Sequence, residues 1–171
     1  IRLGAGAQRV NGRAGDDRIL GGGGADTIGG GAGSDALSGG PGGDRLNGGA
    51  GADRLGGGGG PDRLFGGGGA DDLFGGGRAD RLVGGRGRDD LVGGGGRDRF
   101  VVSRGDGRDT VADFEDGLDR IVIRGAAERF SDLALRQRGD DAVVGYGARR
   151  DALVLEDVEA GDLSGRDFVF A

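Results

Sequence analysis

Between Gly12 and Val101 a large apolar residue returns at every ninth position: Ile19, Ile28, Leu37, Leu46, Leu55, Leu64, Leu73, Leu82, Leu91 and Phe100. Two places before each stands an aspartate: Asp17, Asp26, Asp35, Asp44, Asp53, Asp62, Asp71, Asp80, Asp89 and Asp98. Glycine holds most first, second and fourth positions, so the phrase is GGxGxDxUx, with U apolar, repeated ten times without insertion. Clean copies read GGGGADTIG (21–29), GGAGSDALS (30–38) and GGAGADRLG (48–56). Each copy divides into a six-residue turn, GGxGxD, and a three-residue strand, xUx. Glycine lets the turn take positive φ and places no Cβ between stacked turns.

Alternating short strands and tight turns predict an all-β, two-sheet β-solenoid in which two copies complete one circuit of eighteen residues. Odd copies then form one parallel sheet and even copies the other, with the eighth-position side chains meeting in a thin core. Turns stack along each edge at about 4.8 Å, which brings the Asp of copy n beside that of copy n+2.

So thin a core is a weak counterweight to the ordering of a glycine-rich chain. Two columns of closely spaced carboxylates add repulsion. A cation between the turns resolves both problems. Calcium suits, because it takes six to eight oxygens in tolerant geometry, whereas magnesium demands a stricter octahedron. Zinc lacks its usual ligands, since the chain has no Cys and no His. The alternative, a flexible glycine-rich linker with solvated Asp residues, leaves the nine-residue apolar period unexplained but describes the calcium-free chain.

The GGxGxDxUx frame resembles the RTX family, the hemolysin-type calcium-binding repeats. The resemblance implies a right-handed parallel β-roll with bound Ca²⁺ and a ligand set for it. One Asp and the carbonyls of positions two and four of one turn would join the Asp and the carbonyls of positions one and three of the turn one circuit on. The carbonyl ligands so implied are Gly21, Gly22, Gly23 and Gly24, then Gly30, Gly31, Ala32 and Gly33, then Gly39, Gly40, Pro41 and Gly42. They continue with Gly48, Gly49, Ala50 and Gly51, then Gly57, Gly58, Gly59 and Gly60, then Gly66, Gly67, Gly68 and Gly69. The last are Gly75, Gly76 and Gly77, then Gly84, Gly85, Arg86 and Gly87, then Gly93, Gly94, Gly95 and Gly96. Pairing copy n with n+2 among ten copies allows at most eight such sites.

Departures from the frame are informative. Residues 3–11, LGAGAQRVN, read as a worn first copy with Val10 in the apolar slot and Gln8 in place of Asp, which suits a solenoid cap. Arg13 replaces a second-position Gly and Arg78 a fourth-position Gly. If the fourth position needs positive φ, Arg78 carries backbone strain of about 1 kcal/mol or more. The outward seventh position reads Thr27, Arg45, Arg63, Arg81 and Arg99 in even copies, but Arg18, Ala36, Arg54, Asp72 and Asp90 in odd ones. A solvated arginine ladder offsetting the Asp columns accounts for this. The sharper expectation is a face for an anionic polysaccharide.

Beyond Val101 glycine thins out, and four of the seven Phe and the single Tyr occur there. The segment 101–123, with Asp109, Asp113, Phe114, Gly117, Asp119 and Ile121, resembles the stretch that follows RTX arrays in type I-secreted proteins. Strands are expected at 110–112 and 121–123, a hairpin at 133–138 and 142–146, and another strand at 152–155. Asp106, Asp109, Asp113, Asp116 and Asp119 read either as one further calcium site or as turn residues. The tail, ending Asp167, Phe168, Val169, Phe170, Ala171, resembles a type I secretion signal and equally reads as a last strand packed on the cap.

The expected organisation is a degenerate repeat at 1–11, a calcium-binding roll at 12–101 and a capping and secretion-signal region at 102–171. A formal charge of −6 argues against nucleic acid as a partner, and no apolar run is long enough to span a membrane. Without His or Cys, Ser–His, Cys–His and HExxH zinc chemistry are absent from these residues. An enzyme is therefore not expected. The chain opens on Ile1, which reads as part of a longer protein. The expected function is a secreted, extracellular, calcium-binding module that folds on Ca²⁺ outside the cell and supports export of a larger protein through a type I exporter.

Overall fold

The computed structural model describes residues 1–147 and 151–171. Its strands, numbered along the chain, fall into two sheets. One contains β1 (Arg9–Ala14), β3 (Thr27–Ala32), β5 (Arg45–Ala50), β7 (Arg63–Gly69), β9 (Arg81–Gly87), β11 (Arg99–Ser103), β13 (Arg120–Arg124) and β17 (Phe168–Phe170), in that order. The other runs β2 (Arg18–Leu20), β4 (Ala36–Pro41), β6 (Arg54–Gly59), β8 (Asp72–Gly77), β10 (Asp90–Gly95), β12 (Arg108–Val111) and β16 (Ala152–Leu155). It ends with β15 (Asp141–Gly145) and β14 (Ala134–Arg138). All pairings are parallel except those of the β14–β15–β16 meander. Odd and even copies occupy separate sheets, as expected.

Register follows the eighteen-residue circuit: Ile28 lies opposite Leu46, Leu46 opposite Leu64, and Leu64 opposite Leu82. A shift of one residue would turn every apolar side chain to solvent, and all ten eighth-position residues are buried. Except for β2, the strands of the ten copies are longer than the three residues expected. Pairing continues through the glycines of the next copy, as in Gly31 opposite Gly49 and Ala32 opposite Ala50. The reason is that main-chain N–H and C=O groups of the corner need partners as much as those of the strand, and the stacked neighbouring turn supplies them.

Glycine is required where turns touch. At position two, Gly58 has φ +107°, and a Cβ there would lie 2.5 Å from the Gly40 carbonyl oxygen. At position four, Gly33 has φ +131°, and its Cβ would lie 2.5 Å from the Gly15 carbonyl oxygen. Arg13 and Arg78 do adopt positive φ, 84° and 82°. Beside Arg78 the bond from Gly60 N–H to the Gly77 carbonyl stretches to 3.2 Å, against 2.7 and 2.8 Å for the equivalent bonds of Gly42 and Gly51.

Both sheets run on past residue 101. Strands β12 and β13 continue the parallel ladders, and β16 and β17 add a further rung to each. The cap core, including Phe114, Val144, Tyr146, Leu153 and Phe168, is continuous with that of the roll. Phe168 packs between Phe130 and Phe170, at ring separations of 5.3 and 6.3 Å. At the other end Val10 pairs with Ile28, so the worn first copy forms a rung.

Candidate metal centre

The turn aspartates form two columns, one along each edge of the roll. Each Asp donates its main-chain N–H to Oδ1 of the Asp one circuit on, at 2.7–2.9 Å: Asp26 to Asp44, Asp44 to Asp62, Asp62 to Asp80 and Asp80 to Asp98 on one edge. The other edge runs Asp17 to Asp35, Asp35 to Asp53, Asp53 to Asp71 and Asp71 to Asp89. Gln8 joins at the start through its main chain, donating to Asp26 Oδ1. The first copy thus keeps the bond while contributing no carboxylate.

The second carboxylate oxygen has no partner. Oδ2 of Asp26, Asp35, Asp44, Asp53, Asp62, Asp71, Asp80, Asp89 and Asp98 is buried without a hydrogen-bond donor, and none of these residues is more than 3 % exposed. A buried ionised carboxylate needs a counter-charge or gives up its ionisation. Burial, reinforced by the neighbouring aspartates, accordingly pushes Asp62, Asp71 and Asp89 up to about 6 and Asp80 to about 7. Asp44, Asp53 and Asp98 are raised by the same cause.

Main-chain oxygens face the same gaps. A Cβ on Gly21 would lie 2.6 Å from Asp26 Oδ2 and 2.5 Å from the Gly39 carbonyl oxygen, so both oxygens border one small cradle kept clear by glycine. Position-one carbonyls such as Gly39 and position-three carbonyls such as Pro41, which accepts from Gly24 N–H, point back toward the preceding turn. Position-two and position-four carbonyls, such as Gly40 and Gly15, point forward to the next. Beside the N–H groups that bridge it, each gap therefore presents oxygens from two carboxylates and from carbonyls of both turns, which is the donor type of a hard cation. Among the described residues no three acidic side chains converge as a metal cluster, so the main chain must supply the rest of any coordination shell.

The five junction aspartates separate rather than share one site. Asp109 accepts from Asp89 N–H at 3.2 Å and Asp119 from Asp98 N–H at 2.9 Å, so they extend the two columns by one link each. Asp113 accepts from Gly93 and Gly94 N–H, and Asp106 from Ser103 N–H. Asp116 is exposed, and its pKa is raised by a hydrogen bond with Asp167. Asp109 is driven up to about 8 by burial and by the Asp89 carboxylate. The turn 104–109, RGDGRD, is an eleventh copy of the frame with Arg104 for the first glycine. Gly87 N–H donates to the Asp106 carbonyl, as position four does to position three throughout. Its signal was present in the sequence but displaced by two residues, Val102 and Ser103. Asp119 ends its column, because Glu115 N–H takes its other oxygen.

Repeated glycine turns, a parallel ladder with an eighteen-residue circuit and paired columns of buried aspartates define a parallel β-roll of the calcium-binding class. A family model described as the RTX calcium-binding nonapeptide repeat, in units of four copies, matches residues 3–37, 29–64, 38–73, 65–100 and 74–111, and the chain belongs to this family. No curated protein matches it. Among solved structures it is similar to the extracellular lipase LipA from Serratia marcescens, at 20 % identity and a TM-score of 0.53 over 91 % of this chain. The chain spans 40 % of the lipase's length. The AlgE6R3 subunit of the Azotobacter vinelandii mannuronan C5-epimerase also matches, at 24 % identity and a TM-score of 0.36, over 98 % of this chain and 80 % of that one. Among the described residues no helix is long and apolar enough to cross a membrane.

Proposed function

We propose that this chain is a calcium-responsive folding module, secreted and extracellular, that supports type I export of a longer protein. The observation that carries the reading is the pair of columns of buried, partnerless Asp Oδ2 atoms. Calcium bound between turns would supply the positive charge these oxygens lack. The residues that would hold it are, in each gap, the two aspartates, the carbonyls of positions two and four of one turn, and those of positions one and three of the next. Eight gaps lie within the ten copies, and the Asp89–Asp109 link adds a ninth with the same turn bonding.

Where calcium is scarce, the two columns oppose folding and keep the chain extended enough for a narrow exporter. At extracellular calcium, sites of the weak class, with Kd about 10⁻⁴–10⁻³ M, fill, and binding free energy becomes folding free energy. The C-terminal region, residues 102–171, acts as exporter-recognised signal and as the template on which the turns stack. The module itself is not an enzyme on this reading, since its buried carboxylates serve the cation. Circular dichroism with and without EDTA tests the proposal. A disorder-to-β transition steep in calcium is expected, and an unchanged spectrum in chelator defeats it.

A second reading, binding of an anionic polysaccharide on the arginine face, is favoured by arginines there that have no carboxylate partner among the described residues.

A further inference from the structure

The register of one sheet sets Thr27, Arg45, Arg63, Arg81, Arg99 and Arg120 opposite one another on successive strands. Five arginines thus stand in line at the strand spacing of about 4.8 Å, a row roughly 20 Å long. They line, with Arg124, an open groove of about 1000 Å³. The opposite sheet compensates itself: its row contains Asp72 and Asp90, and Arg54 pairs with Asp72 at 3.6 Å.

Asp62, Asp80 and Asp98 also line the groove, but they are buried in the turn column and pair with none of its arginines. Among the described residues Arg63, Arg81, Arg99 and Arg124 make no ion pair and no side-chain hydrogen bond. Arg81 Nε is buried and without a partner. Like charges this close, one partly desolvated, are a preformed demand for anions.

We infer that this groove binds a linear carboxylated polysaccharide along the row Arg45–Arg120, and that it does so only in the calcium-ordered roll. The inference rests on the polysaccharide-binding reading above and adds its site and its coupling to calcium. A row of evenly spaced guanidinium groups matches a polymer bearing one carboxylate per ring-sized unit, each group offering a fork of donors to one carboxylate. A single-stranded nucleic acid would need stacking platforms. The one aromatic ring in the groove, Phe65, is covered by the Arg45 guanidinium at 4.6 Å. An acidic peptide adding as a strand would need a free sheet edge, and these arginines lie on interior strands.

The coupling follows from the backbone. Each arginine directly follows a column aspartate, and its own N–H is tied to the aspartate carbonyl one circuit back: Arg63 to Asp44, Arg81 to Asp62 and Arg99 to Asp80, at 2.8, 3.0 and 2.9 Å. Ordering the aspartate turns therefore sets the arginine spacing. By reciprocity, a polymer that prefers the ordered row lowers the calcium needed to form it.

The test uses the full chain with short oligogalacturonates, at matched free calcium, reading binding by anisotropy and folding by circular dichroism in the same samples. Wild type is expected to bind in calcium with strong salt dependence, and saturating oligomer should shift the calcium midpoint downward. The triple variant Arg63→Gln, Arg81→Gln, Arg99→Gln should keep the calcium transition and lose affinity by roughly tenfold to a hundredfold. Arg54→Gln on the other sheet should bind as wild type. The inference is overturned if the triple variant binds unchanged or if wild type ignores the polymer. It is equally overturned if single-stranded DNA, polyphosphate or anionic vesicles bind more tightly at equal ionic strength, or if binding persists in EDTA with the chain unfolded. Failure of the calcium-folding reading appears separately, as a circular dichroism spectrum indifferent to chelator.

Discussion

Asp44 donates its main-chain N–H to Oδ1 of Asp62, 2.7 Å away and one circuit further along, and this bond leaves Asp62 Oδ2 sealed in the interior with no donor. One oxygen of the side chain is thereby structural and the other is left for a cation. The same division recurs along both edges, and it ties calcium binding to the stacking of turns.

Because Asp62 borders the gaps on both sides of its turn, Asp62→Asn should weaken two sites at once. The amide oxygen can still accept from Asp44 N–H, so register should survive. Calorimetry with wild type and variant is expected to show fewer ions bound and a higher calcium midpoint. Unchanged stoichiometry would remove Asp62 from the ligand set.

Two neighbouring glycines offer an internal control. Gly58→Ala puts a methyl 2.5 Å from the Gly40 carbonyl at φ +107°, whereas nothing lies within 4 Å of a Cβ on Gly59. Denaturation in saturating calcium should show Gly58→Ala destabilised by about 1–2 kcal/mol or more and Gly59→Ala close to wild type. Equal effects would mean that the turns do not stack this closely.

Arg78→Gly should relieve the strain of φ 82° and shorten the stretched Gly60–Gly77 bond. Against this stands the greater freedom of glycine in the unfolded chain. A net gain on the order of 0.5 kcal/mol is expected, read as a higher denaturation midpoint in calcium. A lower midpoint would show that the arginine side chain contributes more than its backbone costs.

In chelator, acid should favour the fold. Column carboxyls that titrate near 3.8 when unfolded sit at about 6 in Asp62, Asp71 and Asp89, about 7 in Asp80 and about 8 in Asp109 when folded. Between these values the folded chain holds more protons. Their stabilisation is full below the unfolded pKa and is lost as pH rises through the folded ones. Acidification from about pH 8 to about pH 5 in EDTA should raise β content, while in calcium the midpoint should move to higher calcium as protons compete. A β content in EDTA that is flat or falling on acidification would contradict this.

The cap can be probed at Phe168, which is buried and packed between Phe130 and Phe170. Phe168→Ala should cost roughly 3–5 kcal/mol and raise the calcium needed for the whole transition, because the cap core is continuous with the roll. A two-step transition in which the repeats fold normally would separate the two.

Much of this molecule was legible before any coordinates. A nine-residue period with apolar and acidic residues in fixed slots admits one register, because any slip exposes Leu46, Leu55 and their equivalents while misaligning the aspartates. Even the positive φ of Arg78 followed from the slot it occupies. The extra strand length at the corners did not, because side-chain pattern says nothing about where glycine main-chain groups find partners.

What the sequence by itself determined was therefore everything periodic: two parallel sheets, an inward apolar column, two rims of aspartate and an arginine row on one face. Tertiary structure alone decided what lies outside the period. Asp109 and Asp119 join the columns at intervals of twenty and twenty-one residues, and β16 and β17 return from far along the chain to add rungs to sheets already built. Only packing brings such residues into place, since the connections vary in length and carry no local signal. The same holds for the idle Oδ2 atoms: composition lists the carboxylates, but which oxygen is spent on a neighbour's N–H and which stays free is settled by how the turns stack.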